Sequence, residues 1–224
     1  MIDQPQALLL AGDRYHDAGI AFTGIGDLLE AEGIAVQRTT DFAALDADAL
    51  DGKSLLIILR DGIEWPEGPN GPRVVWMQPH QERAIEEFVL QGGAFLALHN
   101  AGWAYPYQGG YRRTLGGYYI GHPPIARFRV EVINHTHPVT RGVESYEIVD
   151  EQHWLHWDFD RVTPLLLSQG LGEDGRQSIS GWAYEYGRGR VVYLPHGHTL
   201  EALQHPMNQR LVRNAARWLL RMAE

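Results

Sequence analysis

A doubly wound α/β fold with a mainly parallel sheet is predicted by three features of this chain. Continuous apolar runs at residues 7–11, 55–59 and 95–98 have the composition of strands covered on both faces. Stretches with apolar residues at helical spacing separate these runs. Glycines and polar residues mark each exchange between them, giving the strand–helix alternation of a parallel sheet.

The elements follow in order. Residues 7–12 read as a buried first strand, and Asp13-Arg14-Tyr15-His16-Asp17 as the polar loop after it. A helix is expected over residues 16–32, with Ala18, Phe22, Ile25, Leu28 and Leu29 on one face and Gly33 as its C-cap. Residues 34–38 form a second strand and residues 55–59 a third, which ends in Arg60-Asp61. The Pro- and Gly-rich residues 64–72 are a loop. A second helix covers residues 79–91, with Ile85, Phe88 and Val89 inward and Glu82, Glu86 and Glu87 outward. The strand at 95–98 then leads into His99. Further on, residues 128–133 and 146–149 are strand-like, and the glycine-rich residues 115–124 read as an irregular loop carrying His122. Residues 182–194 read as a hairpin turning at Tyr186-Gly187-Arg188-Gly189. In the final helix Met207, Leu211, Ala215, Trp218 and Met222 make the apolar stripe, and Arg210, Arg213, Arg217 and Arg221 a solvated face. The added hairpin and loops are decorations on one domain spanning residues 1–224.

Composition narrows the function. With 44% hydrophobic and 21% charged residues the chain is globular rather than disordered. A net charge of −9 excludes a general affinity for nucleic acid or anionic membranes, though not an anionic substrate. The absence of cysteine excludes disulfides, thiolate metal sites and thiol nucleophiles together. The apolar run at 7–11 is too short for a signal peptide and its flank is acidic, and no stretch approaches a membrane span. A cytoplasmic location is expected.

Histidines then carry the argument. In an open α/β sheet ligands bind at the carboxyl ends of the strands, and His99 follows a fully apolar strand at that place. Its imidazole suits a base or a metal ligand, with backbone capping as the alternative. His16 overlooks the same edge beside Asp13 and Asp17, which are also placed to favour a helix N-terminus. His122 lies among glycines that permit close backbone approach. His135 and His137 fit turn capping better than metal binding. Asp150 and Glu151 are adjacent and so point apart, whereas Glu151 and His153 share a face. His156, between Trp154 and Trp157, fits packing. In His196-Gly197-His198, His198 lies farther from the strand body and is the better ligand.

These segments together resemble the ThuA-like family, named for trehalose utilisation and similar in fold to class I glutamine amidotransferases. The matching pieces are Gly92-Gly93-Ala94-Phe95-Leu96-Ala97-Leu98-His99, Leu115-Gly116-Gly117 with His122, His137-Pro138-Val139-Thr140-Arg141-Gly142 and Asp150-Glu151. Trp182 through Arg190-Val191, Gly197-His198 and the final helix ending at Trp218 complete them, in the family's order over nearly the whole chain. The resemblance implies a flavodoxin-like sheet with His99 where an amidotransferase keeps its nucleophilic cysteine. Ordinary glutamine amidotransfer is thereby ruled out, because imidazole does not replace a thiolate nucleophile. Asn100 stands where serine is common, and His153 where tyrosine is expected after the Asp-Glu pair.

The expected function is an enzyme of carbohydrate metabolism, a hydrolase, lyase or isomerase acting on a sugar or keto-sugar by acid–base chemistry. His99, Glu151, Asp150 and His198 are the expected catalytic residues, with Glu151 and His99 exchanging protons at pKa values matched by burial. Asp13, His16, Asn100, Trp103 and His122 are expected to contact substrate, with Tyr105 and Tyr107 as further aromatic contacts or as loop packing. One divalent metal on His99, His122 and His198 is expected, and imidazole without thiolate suits zinc, iron, nickel or manganese. No nucleotide cofactor is expected. A two-carboxylate glycosidase fits less well, because the only adjacent acids diverge and the rest lie on separate loops, although Asp13 and Asp61 both end strands. The aromatic stretch 154–157 offers a contact for a homo-oligomer. The alternative from another class is a non-catalytic sugar-binding or regulatory module on the same scaffold.

Overall fold

The structure is a computed structural model that describes residues 4–68, 70–172 and 175–222. Its central seven-stranded sheet runs in the order Thr163–Pro164, Trp182–Tyr186, Gly189–Leu194, Ala94–Leu98, Leu55–Leu59, Gln6–Ala11, Ala35–Thr39. From Gly189–Leu194 to Ala35–Thr39 all neighbours are parallel, with Leu9 beside Ile57, Ile57 beside Leu96 and Leu96 beside Val192. Trp182–Tyr186 joins this array as the antiparallel arm of the expected hairpin.

Alternation along the strands divides the core in two. Leu9, Ile57, Leu96 and Val192 face one cluster, closed by Leu211, Val212 and Ala215 of the helix Pro206–Leu219. Leu8, Leu56, Phe95 and Val191 face the other, with Ile85 and Val89 of the helix Pro79–Leu90. Both faces of the parallel strands are thus covered, which is why their sequences lack polar alternation. The parallel strands ending at Ala11, Leu59, Leu98 and Leu194 deliver Gly12–His16, Arg60–Asp61, His99 and Pro195–His198 to one rim.

Several expectations need correction. The first helix begins at Ala18, because the Asp17 side chain caps it by accepting from the Gly19 N–H at 2.7 Å. That leaves His16 in the loop. Residues 115–124 are not an irregular loop: Gly117–Gly121 pairs antiparallel with Trp154–Trp157. A Cβ on Gly117 would lie 2.5 Å from the Trp182 ring and 2.7 Å from the His156 carbonyl oxygen, so glycine is what lets the strand close in there. A separate four-stranded antiparallel sheet, Gln177–Ile179, Leu166–Gly170, Ala126–Val132 and Tyr146–Asp150, brings Asp150 and Glu151 to the rim.

Glu82 faces inward rather than outward, and its carboxylate accepts from the Tyr111 N–H at 3.2 Å. The arginine row is a set of tethers rather than a bare face. Arg213 and Arg217 meet Glu32 at 3.3 and 3.2 Å, and Arg210 and Arg221 donate to the carbonyls of Gly142 and Arg188. Ion pairs this exposed contribute at most about 1 kcal/mol each. Among the described residues no helix is long and apolar enough to cross a membrane.

Candidate functional site

His99 leaves its strand with φ of 47°, a left-handed conformation that costs a non-glycine residue about 1–3 kcal/mol. Two bonds hold it there. Its carbonyl oxygen accepts from the Tyr193 hydroxyl at 2.6 Å, and its Nδ1–H donates to the Pro195 carbonyl at 2.9 Å. The ring is wholly buried, and its Nε2 lone pair points to the rim.

His16 is fixed in the same way by Asp13. Asp13 accepts from the backbone N–H groups of Tyr15 (2.8 Å), His16 (3.1 Å) and Asp61 (3.1 Å), from His16 Nδ1–H (2.8 Å) and from the Asn100 amide. Burial pushes the Asp13 carboxyl up, but the His16 bond and charge and the backbone donors outweigh it and hold it below its ordinary value. His16 Nε2 therefore also presents a lone pair, 3.0 Å from His99 Nε2.

His198 is placed by Asp150, whose two oxygens accept from the Gly197 N–H at 2.7 Å and the His198 N–H at 3.1 Å. His198 Nδ1 lies 3.1 Å from His16 Nε2 and 3.3 Å from Glu151 Oε1. Glu151 Oε2 faces His153 Nε2 at 3.3 Å, His99 Nε2 at 3.5 Å and His122 Nε2 at 3.6 Å. Burial opposes its charge, yet the imidazoles facing it, His153 first and then His198, hold its carboxyl below its ordinary value. Glu151 is thereby favoured as the carboxylate.

His16, His99, Glu151 and His198 each offer one donor atom, all within 4.8 Å of one another, and this set can hold a metal ion. Metal–nitrogen bonds of about 2.1 Å place neighbouring donors about 3.0 Å apart at a right angle and about 3.4 Å apart at the tetrahedral angle. The observed neighbour separations of 3.0–3.5 Å match that range. Each of the two closest imidazoles donates its far N–H to a fixed acceptor, the outer-shell arrangement that sets a ligating tautomer.

Above the donors lies a cavity of about 320 Å³ walled by Tyr15, Asn100, Trp103, Tyr119, His122 and His153. His16, Glu151 and His198 open into it, while His99 is buried behind them and does not line it. The structure thus brings together most of the sequence-predicted residues and redistributes their places. His16 joins the donor set in place of His122, which stands at the rim with its Nδ1–H bound to the Pro123 carbonyl at 2.7 Å. Asp13 and Asp150 lie beneath the pocket as supports, because their oxygens are occupied by backbone N–H groups. Asn100 and Trp103 wall the cavity as expected, but Tyr105 is packed on Tyr111 and Trp76, and Tyr107 lies outside it against Tyr118. Tyr119 was not foreseen; its strand was hidden by the glycines around it.

His196 points away, to Ser180 Oγ at 2.9 Å and the Tyr146 hydroxyl at 3.3 Å, and burial drives its pKa down to about 3. His137 caps the turn Pro138–Thr140, as its spacing suggested.

Asp61 lies behind Asp13. Burial, then the Asp13 charge, pushes its pKa up to about 7, against relief from the Ile63 N–H and Arg60. A raised acid contributes stability that is full below about pH 4 and is lost as pH rises through about 7. Asp61→Asn keeps an oxygen for the Ile63 N–H (2.7 Å) and removes the charge. In urea unfolding of chelator-treated protein, the variant will gain about 1–3 kcal/mol on wild type at pH 8 relative to pH 5. Identical pH slopes would refute this reading of Asp61.

Comparison with known proteins agrees with the geometry. The model of the family described as ThuA, trehalose utilisation, matches residues 6–219. A ThuA-like protein from Parabacteroides merdae superposes with a TM-score of 0.77 at 16% identity, covering 97% of this chain and 90% of that one. Another, from Bacteroides uniformis, gives 0.72 at 23% identity, covering 96% and 91%. A beta-galactosidase from Rahnella gives 0.66 at 15% identity, covering all of this chain but only 32% of the enzyme. At these identities the likeness is one of fold. No curated protein matches the sequence.

Proposed function

On the premise that the chain belongs to the ThuA family, described as trehalose utilisation, we propose that it is a metal-dependent enzyme acting on a sugar or keto-sugar. The observation that carries this reading is the pair of Nε2 atoms of His16 and His99, 3.0 Å apart with lone pairs facing. Their Nδ1–H groups are committed to Asp13 and Pro195, so a cation between them relieves the repulsion. With no cysteine in the chain, the site is not that of a Cys-nucleophile amidotransferase.

His16, His99, His198 and Glu151 hold the ion, and their imidazole–carboxylate chemistry suits zinc, iron, nickel or manganese. A divalent ion there supplies a Lewis acid for a sugar hydroxyl or carbonyl oxygen. Trp103 and Tyr119 offer ring faces to the apolar side of a sugar. His153 donates to Glu151 and keeps its carboxylate turned inward. His122, with Nε2 directed into the pocket, is the imidazole left to hold and deliver a proton. Convergence of the histidines on one point favours this reading over a binding module.

Elemental analysis tests it first. Purified protein reconstituted with each metal and then desalted will retain about one ion per chain, and chelation will abolish turnover in a panel of mono-, di- and keto-sugars. Retention of no ion at micromolar metal would sink the assignment.

A further inference from the structure

The short turn His99–Gly102 is held from beneath by two buried hydroxyls. Tyr193 donates to the His99 carbonyl at 2.6 Å and Tyr111 to the Ala101 carbonyl at 2.7 Å, and both side chains are wholly buried. We propose that these two tyrosines are positioning residues for the donor set. They keep the backbone left-handed at His99, and so keep its Nε2 where an ion meets it. This rests on the reading of His16, His99, His198 and Glu151 as a metal centre and assigns what sets its affinity.

The sequence puts both hydroxyls at the turn. Gly189–Leu194 runs parallel to Ala94–Leu98 with Tyr193 beside the small Ala97, and the two share one face of the core. The Tyr193 ring rests on Trp182 at 4.6 Å between centroids. Gly102 keeps the approach open, since a Cβ there would lie 3.3 Å from the Tyr193 hydroxyl. Tyr111 comes from the helix Gly110–Leu115 and packs on Phe95 and Tyr105. Tyr105 in turn donates to the Arg60 carbonyl at 2.8 Å, so a layer of phenols supports this part of the rim. Burial above all pushes Tyr111 and Tyr193 well above their ordinary pKa, so both remain donors.

A residue other than glycine holds φ at 47° only under restraint. The bond from His99 Nδ1–H to Pro195 sets which way the ring faces, whereas the Tyr193 bond fixes the backbone from which the ring hangs. Without that hydroxyl the His99 carbonyl is a buried acceptor lacking a partner, and the turn relieves both that loss and its strain by rotating. An ion then binds only the chains whose turn has returned, and the apparent dissociation constant rises by the inverse of their fraction. Tyr111 grips the turn two residues farther on and has less leverage. Asn100, which donates to Asp13, rides on the same turn, so the effect reaches the support of His16 as well.

Indicator competition on chelator-treated protein, with whichever of zinc, iron, nickel or manganese the wild type retains, separates positioning from packing. Tyr193→Phe keeps the ring on Trp182 and will weaken the ion about tenfold, and Tyr111→Phe about threefold. Thr140→Val is the reference. It strips a similarly buried hydroxyl from the carbonyls of Asn134 and His137, in a turn that carries no donor. All three variants will melt earlier than wild type without metal, but Thr140→Val will hold the ion as tightly as wild type. Wild-type affinity in Tyr193→Phe, or an equal loss in Thr140→Val, would overturn the positioning role and leave the metal centre standing. Should Tyr193→Phe fail to fold, Tyr111→Phe decides by the same comparison. A wild type that retains no ion would overturn both readings.

Discussion

His99→Ala will leave the purified protein with less than a tenth of the wild-type metal content. His99 contributes one of the two closest donor atoms and is wholly buried. Supporting residues around a metal typically matter by 10–100-fold in affinity, and loss of a ligand itself should exceed that range. The substitution also removes the bond to Pro195 and the stack on His153, whose ring lies 4.3 Å away at 25°. It will therefore cost about 2–4 kcal/mol of stability as well. Glu151→Gln separates these effects, since it preserves shape and removes only the charge. Competition against a metal indicator should show at least 100-fold weaker binding in Glu151→Gln, with the melting temperature of the metal-free form little changed. Full occupancy in either variant would end the assignment.

Asp13→Ala has the largest expected effect on the fold itself. It strands the N–H groups of Tyr15, His16 and Asp61 together with the amide of Asn100. A buried donor left unsatisfied costs about 1–3 kcal/mol, and some of these will find water, so a total of about 3–5 kcal/mol is expected. Urea unfolding of chelator-treated protein at pH 7 measures it. Because the Asp13 carboxyl is held below its ordinary value, its contribution is present above about pH 4 and is lost as pH falls further. The gap between wild type and variant must therefore close in acid. Asp13→Asn should recover much of the stability but still weaken metal binding about 10–100-fold, because His16 loses the anion that fixes its tautomer. A variant as stable as wild type at pH 7 would show that Asp13 is not the anchor of this loop.

The strands that carry His99 and His198 were legible because burial on both faces leaves a run of apolar residues with a sharp polar end. The pairing of Glu151 with His153 was legible for a similar reason, since side chains two apart on extended backbone share a face. Other parts were not. Ala126–Val132 and Tyr146–Asp150 cover one face only, and their mixed composition does not say which strands they pair with. Gly117–Gly121 is a strand because a Trp182 ring and a carbonyl crowd it, a tertiary constraint that local sequence does not carry. That His16 overlooks the rim was legible from the end of its strand, whereas its contact with His99 depends on Gln6–Ala11 and Ala94–Leu98 flanking Leu55–Leu59 in register, which no local pattern reports. Glu82 looked solvated because a carboxylate on a helix usually is, whereas here Tyr111 N–H awaits it.

The donor atoms come from chain segments as much as 182 residues apart, each on its own loop above an independently packed sheet. An ion held among them would act as a removable rivet between distant parts of the polypeptide. Withdrawing it would slacken the loops and spare the strands, so starvation for the metal would expose the upper connections to proteases before the fold gave way. On that reading, supply of the ion would govern how long each copy of the protein survives.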